Sequence, residues 1–336
     1  MKKCLIIINR TSGGSRKIAF DQVEKCLGKE YEFTRFILPD DGEIKTEGYD
    51  TFAVCGGDGT LCSVLNKVYL LPVDVFYFPS GTLNDKAKAS RYAHTKTECP
   101  SCSDTLPQEK KIVLGNFKKD SGSAKIFTYV LAAGSFTPIG YTSSIRAKQK
   151  HGTLAYISHI VKEYRPHRLN ANIVCELASS EDGNTSSKSA KSTDNEFYKA
   201  KNKDKTANCA NTDKIAYSGE YTLIMFLKSP RCFGFNCNKG FDSESASGHL
   251  IAIRSPKHNG ILGCIEMFFP FFRVFFMGLK KERDGRIIYR KINSARVETK
   301  DDFIYCKDGE KEPLESGCTQ ITFKKSVCNF HIIEKY

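Results

Sequence analysis

Five consecutive residues, Gly56-Gly57-Asp58-Gly59-Thr60, hold the densest chemistry in the chain. Glycines directly after an apolar run let the backbone come close to a ligand and turn its N–H groups toward an anion. Apolar residues at 61, 64, 65 and 68 follow at helical spacing, so a helix start would add its positive end. An Asp inside a phosphate-facing loop makes physical sense when it works through a metal ion, because a bare carboxylate repels phosphate. Thr60 supplies a hydroxyl. Taken alone, such a loop is equally an ordinary capped strand–helix turn. Two further segments of the same make weigh against that: Asn9-Arg10-Thr11-Ser12-Gly13-Gly14 and Pro79-Ser80-Gly81-Thr82-Leu83-Asn84-Asp85. Their spacing fits neither GxxxxGK[ST] nor GxGxxG.

The elements that must position these loops can be read from the apolar pattern. Residues 5–8, 31–38, 51–54 and 73–78 are strand-like, and a helical face runs from 18 to 27 and again from 61 to 68. Strand–loop–helix units repeated in this way predict a parallel sheet with crossover helices, whose ligands sit at the carboxyl ends of its strands. All three glycine-bearing loops fall at those ends. After about residue 115 the character changes to short β-type runs at 127–132, 171–177, 221–227, 249–254, 286–292 and 295–298, with one helix expected within 153–164. The predicted fold class is α/β plus all-β: an N-terminal three-layer α/β domain and a C-terminal antiparallel β-sandwich domain. The expected division is 1–115 with about 316–336 for the first, and 116–315 for the second. Residues 179–213 are rich in Ser, Asn, Lys and Asp and are read as a mobile surface insertion.

The chain has 336 residues, and its 51 Lys and Arg against 38 Asp and Glu give a formal net charge of +13. That excess favours anionic partners, including an acidic membrane face, and decides nothing about fold. No nucleic-acid motif accompanies it. The 14 Cys are scattered, several inside apolar runs, and no export signal opens the chain, so reduced thiols and a cytoplasmic location are expected. Cys99 and Cys102 have CxxC spacing without a second pair, and are read as loop thiols rather than a zinc site. Residues 267–279 form the greasiest stretch, too short for a span and interrupted by Pro270 and Arg273. They are read as a core helix of the β domain, with a lipid-pocket wall or a bilayer-surface segment as the functional alternative.

In their order along the chain, Asn9-x-x-Ser12-Gly13-Gly14, Gly56-Gly57-Asp58-Gly59-Thr60 and Pro79-x-Gly81-Thr82-x-Asn84-Asp85 resemble the diacylglycerol kinase catalytic domain, a superfamily that includes bacterial diacylglycerol kinases and sphingosine kinases. The segment 150–156 and Lys307-Asp308-Gly309-Glu310 resemble later motifs of the bacterial members. The resemblance implies an ATP-dependent lipid kinase using Mg²⁺. It implies nucleotide contacts from Asn9, Ser12, Gly13, Gly14, Gly56, Gly57, Asp58, Gly59, Thr60, Gly81, Thr82, Asn84 and Asp85. Asp58 would act near the phosphates as the metal-linked carboxylate, and Glu310 would be the general base, with Asp58 the second candidate. A positioned carboxylate suits that task, since a lipid hydroxyl must lose its proton as the phosphoryl group arrives. The implied partners are a lipid substrate at the inner face of the membrane, reached by peripheral contact, and a second copy in a homodimer.

The pattern also departs from the family. Leu38 stands where a nucleotide-contacting Thr is usual, Cys62 and Ser63 where Asn and Glu are usual, and no helix is readable within 39–49. Ser247 occupies the place of a carboxylate that in bacterial members binds a structural Mg²⁺. Two alternatives stay open on these grounds: an NAD kinase-like enzyme sharing the Gly-Gly-Asp-Gly loop, and a non-catalytic lipid- or nucleotide-binding protein on the same scaffold.

Overall fold

The computed structural model describes residues 1–14, 18–89, 96–97, 111–120, 122–135, 137, 167–178 and 213–333. The helix expected within 153–164, the motif at 150–156, the insertion through residue 212 and the Cys99–Cys102 pair lie outside the described residues.

Strands β1 (Lys2–Asn9), β2 (Tyr31–Leu38), β3 (Thr51–Gly56), β4 (Asp74–Pro79) and β5 (Lys96–Thr97) build a parallel sheet, joined by the chain's last strand, Asn329–Ile333. The order is β2-β1-β3-β4, then the last strand, then β5. Helix α1 (Phe20–Leu27) crosses from β1 to β2, and α2 (Asp58–Val68) from β3 to β4. The short α3 (Asp85–Ala89) follows β4. Both faces of β1 are covered, which is why its sequence is an unbroken apolar run rather than an alternating one. Cys4, Ile6 and Ile8 pack with Val23 and Leu27 of α1. Leu5 and Ile7 pack with Leu61, Val64 and Leu65 of α2. No helix forms between β2 and β3 among residues 39–50, as the polar sequence there predicts.

The second sheet is antiparallel and, among the described residues, has ten strands: β6 (Val113–Lys119), β7 (Lys125–Phe127), β8 (Val130–Gly134), β9 (Leu169–Leu177), β10 (Lys214–Leu227), β11 (Gly248–Arg254), β12 (Ile287–Thr299), β13 (Phe303–Lys307), β14 (Glu310–Leu314) and β15 (Gly317–Lys325). One core cluster joins Phe117 and Phe127 from one end of the strand order to Leu131 and Tyr305 from the other, so the sheet folds over onto itself around that core. The runs 286–292 and 295–298 are one continuous strand, β12. Strands β6, β13 and β14 are short, and none of them alternates apolar and polar residues with period two.

The boundary expected near 316 lies later. Gly317–Lys325 pairs with β12 and β6 in the antiparallel sheet. The chain returns to the parallel sheet only at β16 (Asn329–Ile333), beside β4.

Between β11 and β12 runs α4 (Gly260–Phe272), continued by a π-helical turn, Arg273–Met277. Pro270 lies inside α4 and has no N–H to bond the preceding turn, so a change of helical register just after it is where strain can be released. Met267, Phe271, Val274 and Phe275 face the sheet, as a core helix requires. The opposite face is apolar too, and exposed. The 18 helical residues are long and apolar enough, by length and composition, to cross a membrane. The packed inner stripe instead lays this helix along the protein.

Candidate active site

The three glycine loops meet at one edge of the parallel sheet. Register brings Asn9 opposite Leu38 and Gly56 opposite Pro79, so the strands end nearly level. Asn9 Nδ2 donates to Thr60 Oγ1 at 2.8 Å, tying the first loop to the second. Gly14 N donates to Ser80 O at 2.6 Å, tying the first to the third. Thr82 Oγ1 lies 3.0 Å from where a β-carbon on Gly13 would stand. The second and third loops touch backbone to backbone: a β-carbon on Gly81 would lie 2.5 Å from Gly57 Cα. The glycines are thus required by mutual packing of the loops as much as by any ligand.

Asp58 opens α2 and is buried. Its Oδ2 accepts from the Asp85 amide at 2.8 Å and its Oδ1 from the Lys86 amide at 3.2 Å. It therefore caps the start of α3, which holds the third loop in place. Burial, joined by the nearby Asp85 and Asp308, raises its pKa to about 7 against the lowering effect of those two amides. Asn84, in a left-handed conformation (φ 48°), clamps Gly81 through two hydrogen bonds of 2.7 and 2.8 Å.

Asp85 is turned fully into the protein. Arg231 Nε donates to its Oδ1 at 3.4 Å and Gly234 N to its Oδ2 at 2.9 Å. Asp85, expected as a nucleotide contact, has no exposed surface and both its oxygens engaged, so in this structure it holds the third loop from within. Asn84 likewise spends its amide on Gly81. Asn9, Ser12, Gly13, Gly14, Gly57, Gly59 and Thr82 keep partly or fully exposed positions at the edge, whereas Gly56, Asp58 and Thr60 lie beneath it.

Across this edge stands the β13–β14 hairpin. Lys307 pairs with Glu310, and Asp308 and Gly309 form the two-residue turn with φ of 49° and 91°. Asp-Gly is there because both turn positions need positive φ. The same turn aims Glu310 at the first sheet: its Oε1 lies 2.8 Å from the position a β-carbon on Gly59 would take. Asp308 secures the hairpin from below. Its carboxylate accepts from Thr128 N at 2.5 Å, Tyr129 N at 2.9 Å and Val130 N at 3.0 Å.

Three residues of this site escaped the sequence reading. In the sequence Asp308 has no role beyond its place in the Lys307–Glu310 motif. Lys86 reaches Thr128 O at 3.3 Å, and its amino group feels Asp308 and Asp58; desolvation lowers its pKa to about 8. Arg231 joins the 231–235 turn to Asp85. No spacing rule links residues so far apart in sequence.

Two departures from the family pattern also have structural outcomes. Cys62 is buried with its thiol toward Ile126 O at 3.5 Å, and Asn66 one turn on takes the polar contacts to the same strand. At the Ser247 turn, the chain supplies its own hydrogen-bond donor, a buried amino group whose pKa desolvation lowers to about 7. Lys228 Nζ donates to Asp242 O, Ser245 O and Ser247 O at 3.1, 2.6 and 3.0 Å and lies 5.1 Å from the Phe241 ring centre. Among the described residues no group of three His, Cys, Asp or Glu side chains could hold a metal by itself. The residues at the edge suit a Mg²⁺ only of the kind that arrives with phosphates and needs one protein carboxylate. Asp58 there keeps a lone pair on each oxygen beyond its two amide hydrogen bonds.

A parallel sheet thus gathers small-residue loops at its carboxyl edge, faced by a carboxylate from a second sheet. Residues 3–115 match the family model of the diacylglycerol kinase catalytic domain, so the resemblance carried by the three loop motifs is a family match of that segment. A Streptococcus pneumoniae protein named "Putative lipid kinase" is 29% identical over 177 residues, 48% of this chain and 57% of that one. A Staphylococcus saprophyticus diacylglycerol kinase is 27% identical over 166 residues, 46% of this chain and 52% of that one. The match thus spans about half the length of these curated relatives. The fold extends further. A crystal structure of a "putative diacylglycerol kinase" from Bacillus anthracis str. Sterne superposes with a TM-score of 0.60, covering 98% of this chain and 96% of that one at 15% identity.

Proposed function

We propose that this chain is an ATP-dependent lipid kinase that transfers the γ-phosphoryl group to the hydroxyl of diacylglycerol or a related lipid. The observation that carries the reading is the meeting of Glu310 with Gly59, which puts a carboxylate directly over the N-terminus of α2, among backbone N–H groups suited to phosphate. ATP would lie along Asn9 to Gly14, Gly57 to Thr60 and Thr82, with the parallel sheet and its loops acting as the nucleotide domain and the antiparallel sheet as the lipid domain. Mg²⁺, when bound with ATP, would neutralise phosphate charge, held by Asp58. Glu310, exposed at the hairpin, would accept the proton of the lipid hydroxyl, a role worth roughly 10²- to 10⁴-fold in rate. Positioning by the interlocked loops would supply much of the remainder. Lys86 would balance the charge of Asp58 and Asp308 beneath the site.

The test is a mixed-micelle assay with labelled ATP against diacylglycerol, sphingoid base and undecaprenol. Transfer to any one names the substrate class. A folded protein that binds ATP and phosphorylates none of them, with Glu310→Ala silent in cells, would sink the kinase reading in favour of a binding protein. Conversion of NAD to NADP would favour the NAD kinase-like alternative.

A further inference from the structure

Helix α4 and its π turn leave an apolar stripe without a partner among the described residues. Ile261, Ile265, Phe268, Phe269, Phe272 and Phe276 recur at helical spacing on the outer face. Ile261 is 80% exposed, Phe269 74% and Phe276 66%. The rings stack on one another, Phe268 on Phe272 at 5.9 Å and Phe272 on Phe276 at 5.4 Å, so the stripe is a continuous ridge. An exposed apolar surface of this kind marks an interaction site.

The chemistry beside the ridge says what covers it. Lys280, Lys281, Arg283 and Arg286 follow the π turn and are exposed. A groove of about 850 Å³ runs along the ridge, lined by Phe269, Phe272 and Met277 together with Arg273, Arg283 and Arg286. Its two carboxylates are already engaged: Glu266 with His258 and Arg286, Asp284 with Arg290. Arg273 Nε is buried without a hydrogen-bond partner. Aromatic side chains beside guanidinium groups in one groove suit a molecule with an acyl part and an anionic head. A second copy of the chain fits poorly, because a two-fold contact would set this basic rim against itself.

We infer that the α4–π segment is a membrane anchor. It lies in the plane of an anionic bilayer, with its phenylalanine ridge among the acyl chains and its arginine groove on lipid phosphates. The anchor also adjoins the active site. Phe235 packs on Phe275 and Phe276 at 5.7 and 5.2 Å, and its neighbour Gly234 holds Asp85. Docking therefore orients the loop edge toward the bilayer; this last step rests on the lipid kinase reading, whereas the anchor itself does not.

The chain has no tryptophan. Phe269→Trp thus introduces a single indole on the ridge, whose emission reports its surroundings without any turnover. With vesicles of phosphatidylcholine and phosphatidylglycerol the emission should shift to the blue and be quenched by acyl-brominated lipid, and the full chain should co-sediment with the vesicles. Pure phosphatidylcholine should bind at least tenfold more weakly. Ile265→Glu with Phe269→Glu should lose sedimentation by tenfold or more at an unchanged melting temperature, while transfer to a micellar or short-chain lipid persists. An unshifted indole on sedimenting protein would overturn insertion. So would a ridge that holds two copies together, seen as a dimer by sedimentation velocity that Phe269→Glu dissociates, with no vesicle binding. Should the double variant fail to fold, the indole measurement still decides. Absence of vesicle binding by the wild-type chain, with micellar transfer intact, would retire the anchor and leave the kinase reading standing; vesicle binding without transfer would retire the kinase reading alone.

Discussion

Glu310 approaches Gly59 so closely that a β-carbon on the glycine would come within 2.8 Å of its carboxylate oxygen. This contact joins two sheets with separate cores, and a side chain at 59 would disturb the contact rather than the backbone, since Gly59 lies in the first turn of α2 with ordinary helical geometry. Gly59→Ala should therefore raise helix stability slightly, by about 0.5–1 kcal/mol. Phosphoryl transfer should fall by roughly 10- to 100-fold as Glu310 is displaced. Urea denaturation alongside a kinase assay would check the two opposite signs. Glu310→Gln should lower kcat by roughly 10²- to 10⁴-fold and leave the melting curve in place.

Asp308 should behave differently. Asp308→Ala strands three buried amides, those of Thr128, Tyr129 and Val130. A loss of about 3 kcal/mol or more is expected, read as a fall in the denaturation midpoint, together with lost activity from the loosened hairpin. Asp308→Asn keeps acceptor capacity and should lose less.

The loop contacts predict a graded glycine series. A methyl on Gly81 would meet the Gly57 backbone at 2.5 Å, whereas a methyl on Gly57 would stand 3.3 Å from Gly81 Cα. Backbone cannot swing aside as a side-chain tip can. Gly81→Ala should therefore weaken nucleotide binding by more than about tenfold, and Gly57→Ala by less, as measured by calorimetry with an ATP analogue.

Asp58 carries a pH signature. Its folded pKa, raised by burial to about 7, lies above its unfolded value near 3.8. The folded state thus binds more protons than the unfolded one between those values, and the stability this group contributes is lost as pH rises from about 4 through 7. Denaturant titrations of nucleotide-free protein at pH 5, 6 and 7.5 should show that fall, and Asp58→Asn should flatten it.

Lys228→Met should free the carbonyls of Asp242, Ser245 and Ser247. The expected cost is about 2 kcal/mol, with faster amide exchange confined to the 242–247 turn. Added Mg²⁺ should not restore it, since no carboxylate is offered at Ser247.

The sequence by itself determined the three loops and the sheet that carries them. Buried parallel strands leave unbroken apolar runs, and phosphate-facing turns leave glycines next to them; both are local signals. It also determined the Asp308-Gly309 turn, because a two-residue hairpin restricts which residues fit. Only the tertiary structure decided what these residues touch. Asp85 could not be known as buried until Arg231 and Gly234, some 150 positions later, were seen against it. Asp58 could not be known as the cap of α3, nor Lys86 as the charge beneath the site. The greasy helix divided into a packed face and an exposed one, which periodicity among uniformly apolar residues cannot do. Side-chain partners across sheets depend on how two cores settle together, and that is a property of the whole fold, written in no single stretch of chain.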